Sequence, residues 1–427
     1  MVRPLPVRFV ALVVLLSLLL QGCWSIHDPR DLTLASAFGV DTAGAGNLLL
    51  AVELVNPRIA GGPLGGGGQP EKPTRVLYSV AESVFRAQRA IDQTIGKVVF
   101  AGEASVALVG RKLALAGAAP MLDFVVRQHQ LRRTISLVLA EGDVAQILAT
   151  PTIRDTASAE IVGLLHNGNF TGYTSDVTAN MFLADMALPG KEPVMPVVSL
   201  TDLPQAQSAA RPPSAPGAGP GGGNQSGDSA QGGQPAQPKP QVMLMNTIAC
   251  FRHDKLIGVL TPSETRGLLF LRNEISTTLI SVPVSEGEGL TVVEVVRSHS
   301  STKPTVSRAR TASFEIKIHV TAEVADVPVF TEDVGKLARV RELEQEVARS
   351  IEGEVSACIT RLQRELHTDC LGFGLAIYRQ NPSHWRQIAD QWHDLFQSVP
   401  YSVSAQVQIR STGTVGTGIG VRREVPK

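Results

Sequence analysis

Residues 204–241 contain no aromatic residue and no Leu, Ile, Val or Met, and are mostly Pro, Gly, Gln, Ser and Ala, with a triple glycine at 221–223. Such a stretch cannot bury enough apolar surface to offset its ordering entropy. It reads as a 38-residue flexible linker. A chain of that composition spans on the order of 30 to 35 Å. Any core must therefore form from what lies before residue 204 and after residue 241. With 427 residues, each side is long enough to bury one. Lys plus Arg and Asp plus Glu both number 39, so the chain shows no basic footprint for nucleic acid. Four cysteines in this length exclude a disulfide-dense scaffold, and none forms a C-x-x-C pair.

Before the linker, Asn47 to Val55 reads as a strand and Val76 to Ile95 as a helix. Val98 to Leu108 alternates as a strand, and a helix over 112–126 is interrupted near Gly117 and Pro120. Thr134 to Ala140 is a further strand and Glu141 to Leu148 a short helix, giving β-α-β-α-β-α. After the linker, Val242 to Phe251 is a strand. Thr261-Pro262-Ser263-Glu264 fits a capping box with Pro at the first helical position. Ser313 to Val320 alternates, with Phe314, Ile316, Ile318 and Val320 inward and Glu315, Lys317 and His319 outward. Apolar residues from Leu337 to Leu366 recur every three or four positions, which predicts the longest helix. Asn381-Pro382 starts a last helix with Trp385, Ile388, Trp392 and Phe396 on one face, and Tyr401 to Ile409 closes as a strand. The fold class expected is mixed α+β: two halves with room for a third subdomain, each a sheet flanked by helices. The boundaries read as 1–22 signal peptide, 23–203 N-terminal α/β domain, 204–241 linker and 242–420 C-terminal α/β domain.

Candidate chemistry is sparse. His367, Asp369 and Cys370 sit together, but no second cluster supplies metal ligands, so no metal and no cofactor are expected. His384 and His393 are nine apart, which does not fit an H-E-x-x-H pairing. Glu264 and Arg266 could form a buried acid and its partner; the favoured reading makes Glu264 the capping-box residue and Arg266 a surface residue. Cys358 falls near the apolar stripe of the long helix, with a Cys358–Cys370 bridge as the minority alternative. No G-x-S-x-G elbow is present and no catalytic constellation emerges, so no enzyme activity is expected.

The N-terminus gives an address. Arg3 and Arg8 precede an apolar run from Phe9 to Leu20 broken only by Ser17. Twelve helical residues rise about 18 Å, too short for a hydrocarbon core of about 30 Å, so the run is a signal-peptide core. It ends at Leu20-Gln21-Gly22-Cys23, which resembles the lipobox of bacterial lipoproteins. The resemblance implies cleavage before Cys23 and diacylglycerol and N-acyl (palmitate-type) modification there. Two or more acyl chains then hold the protein at a membrane.

Several stretches together resemble the Ger(x)C family of spore germination lipoproteins. These are Gly22-Cys23-Trp24 with Asp31-Leu32 and Ala37 to Asp41, then Leu108 to Gly117 with Leu122-Asp123-Phe124. Phe251 to Leu271, Thr368 to Gly374 and Trp385 to Phe396 follow in order. Departures are Gly102-Glu103 where a His is expected, Leu or Phe where a Trp is expected after Arg266-Gly267, and Cys370 between Asp369 and Leu371. The resemblance implies a non-enzymatic C subunit of a nutrient germinant receptor. It would be lipid-anchored on the outer face of the spore inner membrane beside two integral-membrane subunits. The stripe of Trp385, Trp392 and Phe396 reads first as core, and exposed parts of that helix are the first candidate for a partner surface. The competing reading is a solute-binding lipoprotein that delivers a small molecule to a transporter, with two lobes around a hinge.

Replacing Cys23 by Ala should leave the precursor uncleaved and unlipidated, because only a thiol accepts the thioether lipid. Mass spectrometry of the mature N-terminus checks this, and an unmodified Cys23 in the wild-type protein overturns it.

Overall fold

The computed structural model describes residues 8–9, 31–55, 73–202, 241–283, 289–306, 312–327 and 336–411. The elements of the first half are β1 (Leu32–Gly44), β2 (Asn47–Val55), β3 (Thr74–Ala81), α1 (Val84–Ile95), β4 (Val98–Phe100), β5 (Val106–Gly110), α2 (Arg111–Ala116), α3 (Ala119–Arg127), β6 (Ser136–Glu141), α4 (Val144–Ala149), α5 (Ala157–Thr171), α6 (Ala179–Ala187) and β7 (Val194–Asp202). The second half has β8 (Gln241–Arg252), β9 (Lys255–Val259), α7 (Pro262–Arg272), β10 (Thr278–Pro283), β11 (Leu290–Val306), β12 (Ala312–Asp326), α8 (Leu337–Arg361), α9 (Phe373–Gln380), α10 (Pro382–Ile388), α11 (Trp392–Phe396) and β13 (Tyr401–Ser411).

A nine-stranded sheet runs β3-β2-β1-β5-β6-β7-β8-β9, with β4 paired beside β1. Its centre is parallel, β1 to β5 to β6 to β7. Both faces of such a centre must be covered, and every residue of Val106–Gly110 is buried. One face packs Phe38, Val109 and Leu139 under α1 and α3. The other packs Ala37, Leu108 and Val138 under α4 and α5. The second sheet, β10-β11-β12-β13, is antiparallel except for the last pair. Phe314, Ile316, Ile318 and Val320 face inward onto α8, as their alternation predicts, while Glu315, Lys317 and His319 face solvent.

The two halves are less separate than the sequence suggests. Strands β7 and β8 flank residues 203–240, which lie outside the described residues, yet Asp202 pairs directly with Gln241 in an antiparallel ladder. Beyond residue 240, β8 and β9 complete the larger sheet. One apolar cluster also runs unbroken from Phe38 under the first sheet to Phe314 and Ile351 under the second.

Three local expectations also change. Residues 74–81 form edge strand β3, paired with β2, and the helix starts only at Val84, where Ser83 Oγ accepts from Arg86 N. The strand over 98–108 breaks into β4 and β5 at Gly102, where an added Cβ would come 2.5 Å from the Phe100 ring. The last helix is three short pieces, broken at the 3-10 turn Ala389–Gln391. The capping box is as expected: Glu264 N donates to Thr261 Oγ1 and Thr261 N to Glu264 Oε2.

Replacing residues 203–240 by an Asn-Gly turn should keep the β7–β8 ladder and hold or raise stability. Loop-closure entropy changes by about 0.6 kcal/mol per doubling of length, which gives a gain of at most about 2.5 kcal/mol. A loss of several kcal/mol in denaturant melts would show that the segment packs on the fold.

Candidate functional site

The second half docks on the first through Thr368 to Gly374. The long helix ends in a π-turn, Leu362–Leu366, and His367 closes it in the left-handed region at φ 49°, its Nδ1 2.8 Å from Gln363 O. The chain then turns inward. Thr368 Oγ1 donates to Phe251 O of β8 at 2.7 Å, and Glu192 N donates to Asp369 O at 2.9 Å.

Asp369 is the centre of this seam. Its Oδ1 accepts from Gly372 N and Phe373 N, and its Oδ2 from Gly374 N and Trp392 Nε1, all at 2.8 to 3.1 Å. The carboxylate thus satisfies the first amides of α9 and pins α11 to them. Burial pushes the Asp369 carboxyl up to about 6, although four donors pull it down. Gly374 lies backbone to backbone with Gly190, and an added Cβ at Gly374 would come 2.7 Å from Gly190 Cα. Leu375 N donates to Gly190 O across this contact.

Trp385, Trp392 and Phe396 are therefore core residues, at 6%, 5% and 1% exposure, as the first reading of the stripe expects, and these three side chains do not form the alternative partner surface. Their face points inward because the Trp392 indole must reach Asp369. Trp385 stacks edge-on to Trp392 at 5.6 Å, and Phe373 lies between Phe314 and Phe396.

A cavity of about 220 Å³ opens beside the seam, with Trp385, Trp392 and Phe396 as floor and Lys191, Glu192 and His253 among its rim. Most of its polar groups are already engaged. Lys191 Nζ holds Asp185 at 2.7 Å, Glu192 Oε2 accepts from His253 N at 2.6 Å, and both Asp369 oxygens are used. The cavity thus has few polar atoms left to orient a ligand.

Arg266 is buried, not at the surface. Its Nε donates to Glu354 Oε2 at 2.7 Å, a second bond runs from Nη2 to Glu354 Oε1, and Nη1 reaches Leu279 O and Tyr173 Oη. The buried acid partner is Glu354 of α8 rather than Glu264. A second buried carboxylate, Glu53 of β2, accepts from Ala157 N and Ser158 N at the start of α5. Cys250, Cys358 and Cys370 are buried free thiols, so no Cys358–Cys370 bridge forms, and burial pushes the Cys358 and Cys370 thiols up. Among the described residues no three His, Cys, Asp or Glu side chains gather as a metal site. Cys23 lies outside the described residues.

Asp369 was legible only as part of a His-Asp-Cys run. The missed signal is Asp369 followed by Gly372 and Gly374 at a helix start, which is a capping pattern. Arg266 carried no local signal, because its partner is 88 residues away.

Two family models match in order along the chain. Residues 25–200 match the spore germination protein N-terminal domain, and residues 246–413 match the C-terminal model described as spore germination B3/GerAC like. The chain belongs to the GerAC-like family of germinant-receptor subunits. Relatives include spore germination protein KC of Bacillus subtilis, 25% identical over 95% of each chain. Spore germination protein B3 of the same organism is 20% identical over 93% of this chain and 96% of that one. The crystal structure of the GerBC protein shares the fold, with a TM-score of 0.52 at 15% identity over 87% of this chain and 96% of that one. The mixed α+β architecture is thus that of a GerC-type subunit, and spore germination is the process it serves. The seam motif Thr368 to Gly374 falls within the C-terminal match.

Replacing Asp369 by Asn should destabilise the protein by about 2 to 4 kcal/mol, since an amide NH₂ would face a backbone or indole N–H. The variant should also flatten the pH dependence of stability. A carboxyl raised in the folded state favours folding below its unfolded value near 4, and that contribution is lost as pH rises through about 6. Denaturant melts of both proteins from pH 4 to 7 check both parts.

Proposed function

We propose that this protein is a non-enzymatic lipoprotein subunit of a germinant receptor. Cys23 anchors it on the outer face of the spore inner membrane, where it works by contact with two integral-membrane subunits. The observation that carries the reading is the ordered match of both family domains over nearly the whole length after the signal-like segment. Two features support it. The lipobox-like Leu20 to Cys23 supplies a membrane address without a spanning helix, and among the described residues no helix is long and apolar enough to cross a membrane. The seam also commits the most concentrated polar chemistry of the second half to internal bonds.

The solute-binding reading calls for two lobes closing on a hinge. Here the ladder continues from β7 into β8 and the core is unbroken, which leaves no free hinge between the halves.

Detergent extracts of spores should yield this protein together with two multi-pass proteins, and spores lacking it should lose the response to at least one nutrient. The purified chain titrated calorimetrically with amino acids and sugars should give no heat of binding. A sub-millimolar dissociation constant for one nutrient, with no multi-pass protein co-purifying, would favour the solute-binding reading instead.

A further inference from the structure

Among the described residues the outer face of the second sheet is exposed and polar, and one row across it stands apart. His299 of β11 pairs directly with His319 of β12, and His319 pairs in turn with Gln406 of β13. Both histidines are exposed. The neighbouring Ser300 exchanges its N–H and carbonyl with the Asn273 side chain, at 2.6 and 3.0 Å, on the far side from β12. Backbone groups alternate sides along a strand. His299 therefore turns its own toward β12, and His299–His319 is the hydrogen-bonded pair of the ladder, with Cα atoms about 5.5 Å apart. At that spacing two imidazoles on one face can converge on an atom about 2.0 to 2.1 Å from each nitrogen.

We propose that His299 and His319 form a two-histidine site for a borderline transition-metal cation of the zinc, nickel or copper class. The Gln406 amide oxygen is a weak third donor, and water fills the remaining positions. The pairing needs a reason, because two imidazoles placed opposite each other repel once both are protonated. A shared cation held between two neutral rings reverses that sign. The charges facing the pair are Arg297 and Lys317 on the diagonals. Lys317 is neutralised by Glu315 at 2.8 Å, which leaves Arg297 as the opposing charge. Two protein ligands and one nearby guanidinium make the site weak, with copper bound tightest by the usual order of divalent metals.

The test uses the full chain purified in detergent without a histidine tag. At pH 7.5, with 100 µM zinc, nickel or copper, the melting temperature should rise by about 2 °C, while magnesium should have no effect. His299→Gln and His319→Gln should each abolish the shift, and Gln406→Ala should weaken it. All three positions are exposed, so the variants should fold as the wild type does. A shift that persists in both histidine variants, or no shift with any of the three metals, overturns the proposal.

Discussion

The Asp369 carboxylate is the interaction on which the rest of the second half depends. It is one group with four donors, three from the amides that open α9 and one from the Trp392 indole. Removing a single partner would leave buried N–H groups unmatched, and each such group costs about 1 to 3 kcal/mol. The same segment contributes Thr368 to β8 and leaves the Asp369 carbonyl for Glu192 N. A loop of seven residues, Thr368 to Gly374, thereby fastens the aromatic core of the second half to the edge of the first sheet. Only glycine fits at its end, because Gly374 and Gly190 touch through their backbones.

The second constraint is the ladder across residues 203–240. A composition that reads as a divider lies between two hydrogen-bonded strands, so its ends sit one residue pair apart. The geometry of a hairpin does not restrict what its loop contains, since closure entropy grows slowly with length. The molecule is therefore organised by sheet membership rather than by sequence halves. The larger sheet takes β8 and β9 from beyond the divider, and α7 passes from that sheet to pack on α8. The Arg266–Glu354 pair locks that packing, with Gly267 under the Glu354 carbonyl at a distance no side chain would allow.

Much of this was legible locally. Alternation at Phe314 to Val320, the period of the long helix and the Thr261 capping box are all set by neighbours within a few residues. What was illegible is set by distant ones. Val76 to Val80 suits a helix by period, yet β2 recruits it as an edge strand, and no local signal states that partner. The Trp385 and Trp392 stripe suited a core or a partner surface, because short helices present one apolar face whether it packs inward or meets a partner. The deciding fact was an acid 23 residues away from Trp392. Cys23 rests on the sequence alone.

The uncovered surfaces differ at the two ends of the molecule. At one end, edge strand β3 leaves Tyr78 and Val80 exposed, with Phe85 of α1 nearby in sequence. Helix α4 packs on β1, β2 and β3, yet Tyr78 and Val80 stay exposed. At the other end, the outer face of β11 to β13 carries rows such as Lys303 with Glu315 and His299 with His319. An apolar edge strand has unpaired backbone groups and side chains that gain by burial, whereas a polar face with satisfied ladders gains little from apolar contact. A contact that buries apolar area is therefore favoured at the β3 end, while the opposite face is suited to ions and charged groups.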